Sequence, residues 1–75
     1  MTVITFPSTY MALSAEKVVK SAGLEGKLIP VPRKISTSCG MALRLAEHQL
    51  DQVLALLDEA GVEIEGVYEL ADKER

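Results

Sequence analysis

The residues with the most chemical potential in this sequence fall in one stretch, Pro32-Arg33-Lys34-Ile35-Ser36-Thr37-Ser38-Cys39-Gly40. Cys39 is the only cysteine. A thiol attacks as its thiolate, and neighbouring cations favour that form. Arg33 and Lys34 supply such cations. Ser36, Thr37 and Ser38 offer hydroxyl donors to an anion. Gly40 lets the backbone approach a ligand closely, or turns its own N–H toward one. Each feature also has a plainer explanation. A lone cysteine is commonly a buried hydrophobe, and a Ser-Thr-Ser run is commonly a polar loop.

The rest of the sequence offers little competing chemistry. His48 is the only histidine, and it follows the third expected strand, away from Cys39, where it reads as a cap or surface residue. One His with one Cys cannot build a zinc site within one chain. There is no GxGxxG and no P-loop, and no cofactor is expected. The carboxylates are scattered, with no apolar pocket in view to tune a catalytic pair. Tyr10 and Tyr68 read as packing residues, although Tyr10 can reach the thiol end.

Composition narrows the class further. The chain has 75 residues, 48% of them apolar and 25% charged, which reads as one small folded domain over 1–75 with an ordered core of about 3–70. Eleven acidic residues against eight basic ones give a net charge of −3, the wrong sign for nucleic-acid binding. No apolar run is long enough to cross a membrane. The start, Met-Thr-Val-Ile-Thr-Phe-Pro, does not read as a signal peptide. A single unpaired cysteine fits the reducing cytoplasm.

The elements that must position Cys39 follow from periodicity. Val3 to Phe6 reads as a strand, ended by Pro7. Ser8 and Thr9 offer helix N-caps. Met11, Ala15, Val18 and Ala22 form a stripe with Ala12 and Val19 beside it, and Gly23 closes that helix. Lys27 to Val31 is a second strand, where Pro30 and Pro32 point to a sheet edge or an extended exit. Met41, Leu43 and Leu45 alternate with Ala42, Arg44 and Ala46 as a third. Leu50, Val53, Leu54, Leu57 and Ala60 make a second helical stripe that ends at Gly61. Val62 to Glu65 alternates as a fourth strand, with Gly66 as a bulge before Val67 to Leu70.

The order βαββαβ predicts an α+β, ferredoxin-like fold: a four-stranded antiparallel sheet ordered 4-1-3-2, with both helices on one face. The other face is expected to carry Thr5, Ala42, Arg44, Glu63 and Glu65, or their neighbours if the register slips by one. Such an open face is a candidate homodimer surface. In this topology the first and second strands run parallel. The turn bearing Ser8 and Thr9 therefore emerges at the same end as the Cys39 loop. A helix N-terminus stabilises anions and lowers a thiol pKa, so two segments are expected to converge on an electropositive thiol.

The segment Ile29-Pro30-Val31-Pro32-Arg33, then Ile35-Ser36, Ser38-Cys39-Gly40 and Ala42-Leu43-Arg44, resembles a family of small bacterial proteins described as selenium/sulfur carrier protein-like. The opening Ile4-Thr5-Phe6-Pro7-Ser8-Thr9 and the ending Gly61-Val62-Glu63-Ile64-Glu65-Gly66-Val67-Tyr68 are similar as well. The resemblance implies that Cys39 holds a persulfide or selenopersulfide, with Arg33, Ser36 and Gly40 shaping its pocket. It also implies two protein partners, a donor such as a cysteine desulfurase and an acceptor. Lys34 stands where an acidic residue is expected in the family, which makes this thiol's surroundings more basic. No fused carrier domain is evident, so a donor is expected to act in trans.

The leading expectation is a carrier rather than a self-contained enzyme, with Ser8, Thr9 and Ser38 also lining the anion site. A small ligand- or protein-binding module with a structural Cys39 is the alternative. A redox sensor ranks lower, because no resolving cysteine accompanies Cys39.

Overall fold

The computed structural model describes residues 2–31 and 40–69. Four strands and two helices follow in the order β1 (Thr2–Thr5), α1 (Thr9–Ser21), β2 (Gly26–Pro30), β3 (Met41–Leu45), α2 (Leu50–Glu59) and β4 (Gly66–Glu69), with a 3-10 turn at Glu47–Gln49 leading into α2. The strands form one sheet ordered β2-β3-β1-β4. Every neighbouring pair is antiparallel. This is the ferredoxin-like arrangement, and the order is the expected 4-1-3-2 read from the other edge. Pro30 lies on an edge strand, where its missing N–H breaks no ladder.

Alternation along the strands sorts the side chains. Ile4, Leu43 and Leu45 face the helices, where they pack with Phe6, Ala12, Ala15, Val19, Val53 and Leu57 in the main core. Met11 and Met41 pack against it, as expected of core methionines. The buried stripe of α1 is Ala12, Ala15 and Val19, rotated from the expected one, and Ala22 is exposed. The small residues sit deepest because they let the helix approach the sheet closely.

Both helices end alike. Gly23 (φ +77°) and Gly61 (φ +75°) take the left-handed backbone expected of them. The N–H of Gly23 donates to Lys20 and that of Leu24 to Val19, while Gly61 donates to Asp58 and Val62 to Leu57. These paired bonds satisfy the last carbonyls of each helix. They also turn Leu24 and Val62 back onto the core.

The fourth strand differs from expectation. Val62 is used by the closure of α2, and Val62 to Glu65 is a connector. Pairing with β1 begins at Thr5↔Gly66 and ends at Thr2↔Glu69. β1 has only four residues, so it offers four partners, and they fall on 66–69. The Glu65 N–H, bonded to the Thr5 carbonyl at 2.6 Å, is a further link between these segments. Gly66 is paired within this ladder rather than serving as a bulge. A Cβ there would lie 2.9 Å from the Tyr68 ring, so glycine gives that ring its place along the strand. The Thr2 hydroxyl donates to the Glu69 carboxylate at 2.5 Å, tying the far end of β4 to β1.

The face away from the helices carries Thr5, Ala42 and Arg44 as expected. Glu63 and Glu65 precede β4, and its contribution there is Gly66 and Tyr68 instead. The centre of this face is closed. Val3 and Ala42 are fully buried with Ile29 and Val31 against them, and Thr5 is fully buried too. Tyr68, at the β4 side of this face, is 38% exposed.

Gly26 marks where α1 meets β2 most closely. A Cβ at this position would sit 2.8 Å from Val19 Cγ1 and 3.4 Å from Leu43 Cδ1. Val19 is β-branched, both partners are fully buried, and neither can swing aside. Gly26→Ala is expected to destabilise the domain by about 1–3 kcal/mol through overpacking. Urea unfolding followed by far-ultraviolet circular dichroism would read this, and an unchanged midpoint would show that the helix–sheet gap is wider.

Candidate functional site

Both approaches to the cysteine-bearing segment lie at one end of the sheet. β1 leaves it at Thr5, whose partner is Ala42. β2 leaves it at Pro30, whose partner is Met41. One step further, the Val31 N–H donates to the Gly40 carbonyl at 3.0 Å, so residues 31 and 40 are clasped at the base of the connection. The convergence expected between the β1–α1 turn and this connection therefore holds for the elements that carry them. Arg33, Lys34, Ser36, Thr37, Ser38 and Cys39 lie outside the described residues.

Ser8 is the N-cap of α1, with an extended backbone and its Oγ accepting from the Met11 N–H at 3.2 Å. Thr9 is the first helical residue rather than a cap. Ser8→Ala is expected to cost about 1 kcal/mol of stability, and Ser8→Thr to restore most of it. Thermal unfolding of the two variants checks this, and equal midpoints for native and alanine chains would remove the capping role. The first turn of α1 holds no acidic side chain, so the positive end of the helix dipole is not offset by its own side chains.

Gly40 has φ +79°, and among the described residues nothing lies within 4 Å of where a Cβ would stand. Its glycine is explained by the left-handed backbone that brings the chain into β3, not by crowding. His48 lies in the 3-10 turn after β3, at the opposite end of the sheet from Gly40. That is the separation expected of it.

Tyr10 corrects the reading of the sequence. It is 73% exposed, and Leu13, one turn on, is 51% exposed. Neither packs in the core. The helical stripe left Leu13 off the buried face, but only the packing of α1 shows that Tyr10 joins it in solvent.

The far end of the sheet holds an open cavity of about 650 Å³ that the sequence did not announce. Its walls bring Lys20, Lys27 and Arg44 together with Glu25, Glu47 and Glu69. Cations and carboxylates are matched in number, so it has no clear preference for an anion. Lys27 and Arg44 are cross-strand partners, with their charges spread toward solvent.

Among the described residues no helix is long and apolar enough to cross a membrane. Residues 1–69 match the family described as "Putative Se/S carrier protein-like". No curated protein and no solved structure matches the chain.

Proposed function

Because the chain belongs to the Se/S carrier protein-like family, we propose that it relays sulfane sulfur or selenium on Cys39. The observation that carries this reading is the family match itself, which spans residues 1–69 and so includes the cysteine-bearing segment. The topology supports it. The Ser8-capped start of α1 and the clasp between Val31 and Gly40 lie at one end of the sheet, and Cys39 is bonded to Gly40.

The chemistry is persulfide exchange. The Cys39 thiolate attacks the outer sulfur of a persulfide on the donor. A new S–S bond forms at Cys39 as the donor's S–S bond breaks, and the donor leaves as a thiolate. One zero-valent sulfur has moved, and no oxidant or reductant is consumed. The next acceptor thiolate repeats the step on Cys39. Arg33 and the dipole of α1 stabilise the anionic forms, while Ser36, Ser38 and the Gly40 backbone donate hydrogen bonds to the terminal sulfur. Ser8 and Thr9 extend that donor set from the helix side. The donor is a protein of the cysteine desulfurase kind, the acceptor is a second partner, and the setting is the cytoplasm.

Intact-mass spectrometry of the reduced chain tests this after incubation with a cysteine desulfurase and cysteine. The expected result is a gain of one or more sulfur atoms that a reductant removes. No gain from this donor or from glutathione persulfide would overturn the reading, and a thiol slow toward alkylation would then mark Cys39 as structural.

A further inference from the structure

The solvent side of α1 carries a patch that the fold does not use. Tyr10, Leu13, Lys17 and Lys20 recur at i, i+3, i+7 and i+10, which places them within an arc of about 80° on the helix. The arc lies opposite the buried Ala12, Ala15 and Val19. Tyr10 and Leu13 are the apolar end, 73% and 51% exposed. Lys17 and Lys20 are the basic end, and Glu16 pairs with Lys20 at 3.5 Å from the flank. No acidic residue lies on the arc itself, in a chain whose net charge is −3.

The apolar end lies where the chemistry is proposed. Tyr10 is in the first turn of α1, just after the Ser8 cap, at the end of the sheet where β2 leaves and β3 begins. A donor that hands over sulfur from its own cysteine must bring that cysteine into bonding contact with Cys39, and so it covers this end of the molecule.

We infer that the Tyr10–Leu13–Lys17 stripe is the docking surface for the persulfide-bearing donor protein, which meets it with an apolar cleft rimmed by carboxylates. The inference rests on the carrier reading above and adds to it the surface by which the donor is recognised. The occupant is a protein rather than a membrane, because the transfer needs a second sulfur brought into bonding contact with Cys39. Tyr10 is of the residue type that most often anchors protein interfaces, and Leu13 extends the apolar area beside it. The lysines steer the encounter.

The test compares two sulfur donors on the full chain. One is a cysteine desulfurase supplied with cysteine, and the other is glutathione persulfide, which needs no docking surface. Tyr10→Ala/Leu13→Ala is expected to slow loading by the desulfurase at least about tenfold, with loading by glutathione persulfide unchanged. Lys17→Glu is expected to slow the same reaction, by a factor that shrinks as salt is raised. Both substitutions are on the solvent side of a helix, and an unchanged thermal midpoint shows that the fold is intact. Equal desulfurase loading by native and variant chains overturns the inference. So does loss of loading from both donors in the variants, or native loading by glutathione persulfide alone. Failure of the native chain with both donors removes the carrier reading, and the docking surface with it.

Discussion

Cys39→Ser is expected to abolish sulfur loading altogether. Serine has nearly the same shape as cysteine, so the substitution removes the chemistry and leaves the rest of the chain as it was. A hydroxyl does not ionise in the pH range where a thiol does, and its oxygen cannot form the S–S bond on which the relay depends. The measurement is the intact mass of native and variant chains after the same exposure to a cysteine desulfurase and cysteine. The native chain gains sulfur and the variant none. A variant that still gains sulfur would remove Cys39 from the mechanism, since Cys39 is the only cysteine. Alkylation of the native thiol gives a second readout. If Arg33 and the positive end of α1 favour the thiolate, the alkylation rate at neutral pH exceeds that of a free cysteine. Arg33→Ala then lowers it.

Phe6→Ala carries the largest expected cost in stability. Phe6 is the only phenylalanine, is fully buried and belongs to the main core. Removing such a ring costs about 3–5 kcal/mol, by lost transfer energy and by the cavity left behind. A domain of this length is expected to have only about 4–11 kcal/mol in hand. The variant is therefore expected to lose much of its stability and to populate unfolded chains on modest heating. Leu13→Ala is the matched control. Leu13 is half exposed on α1, and its loss is expected to change stability by no more than about 0.5 kcal/mol. Denaturant unfolding of the two variants beside the native chain separates them. A native-like midpoint for Phe6→Ala would mean that the β1–α1 turn is not anchored in the core. That anchor also bears on the site, because Phe6 and Pro7 lead directly into Ser8 and the start of α1.

The elements legible from the sequence were those decided by near neighbours. Gly23 and Gly61 announced the helix ends because a left-handed closure bonds groups only three to five residues apart. Ser8 announced the start of α1 for the same reason, and Pro30 announced an edge. Met41 to Leu45 was legible as a strand because period-two alternation with one buried face is a local pattern. The candidate site was legible as far as a unique cysteine, its polar neighbours and the topology that brings the start of α1 to the same end of the sheet.

The rest depended on partners distant along the chain. Val62 to Glu65 alternates as a strand should, yet β1 is short and its four positions pair with Gly66 to Glu69, so register moved the strand onward. Gly26 looks like an ordinary loop glycine until Val19 and Leu43 close over it. Gly66 looks like a bulge until the Tyr68 ring lies along it. Tyr10 is aromatic enough to pass for core, but α1 turns its small residues inward, and Tyr10 goes to solvent with Leu13. By itself the sequence determined most of the elements, their order and the identity of the candidate thiol, because caps and periodicity act over a few residues. Only the tertiary structure decided which of several similar faces is buried and which is left exposed, because burial is settled by whatever packs against it.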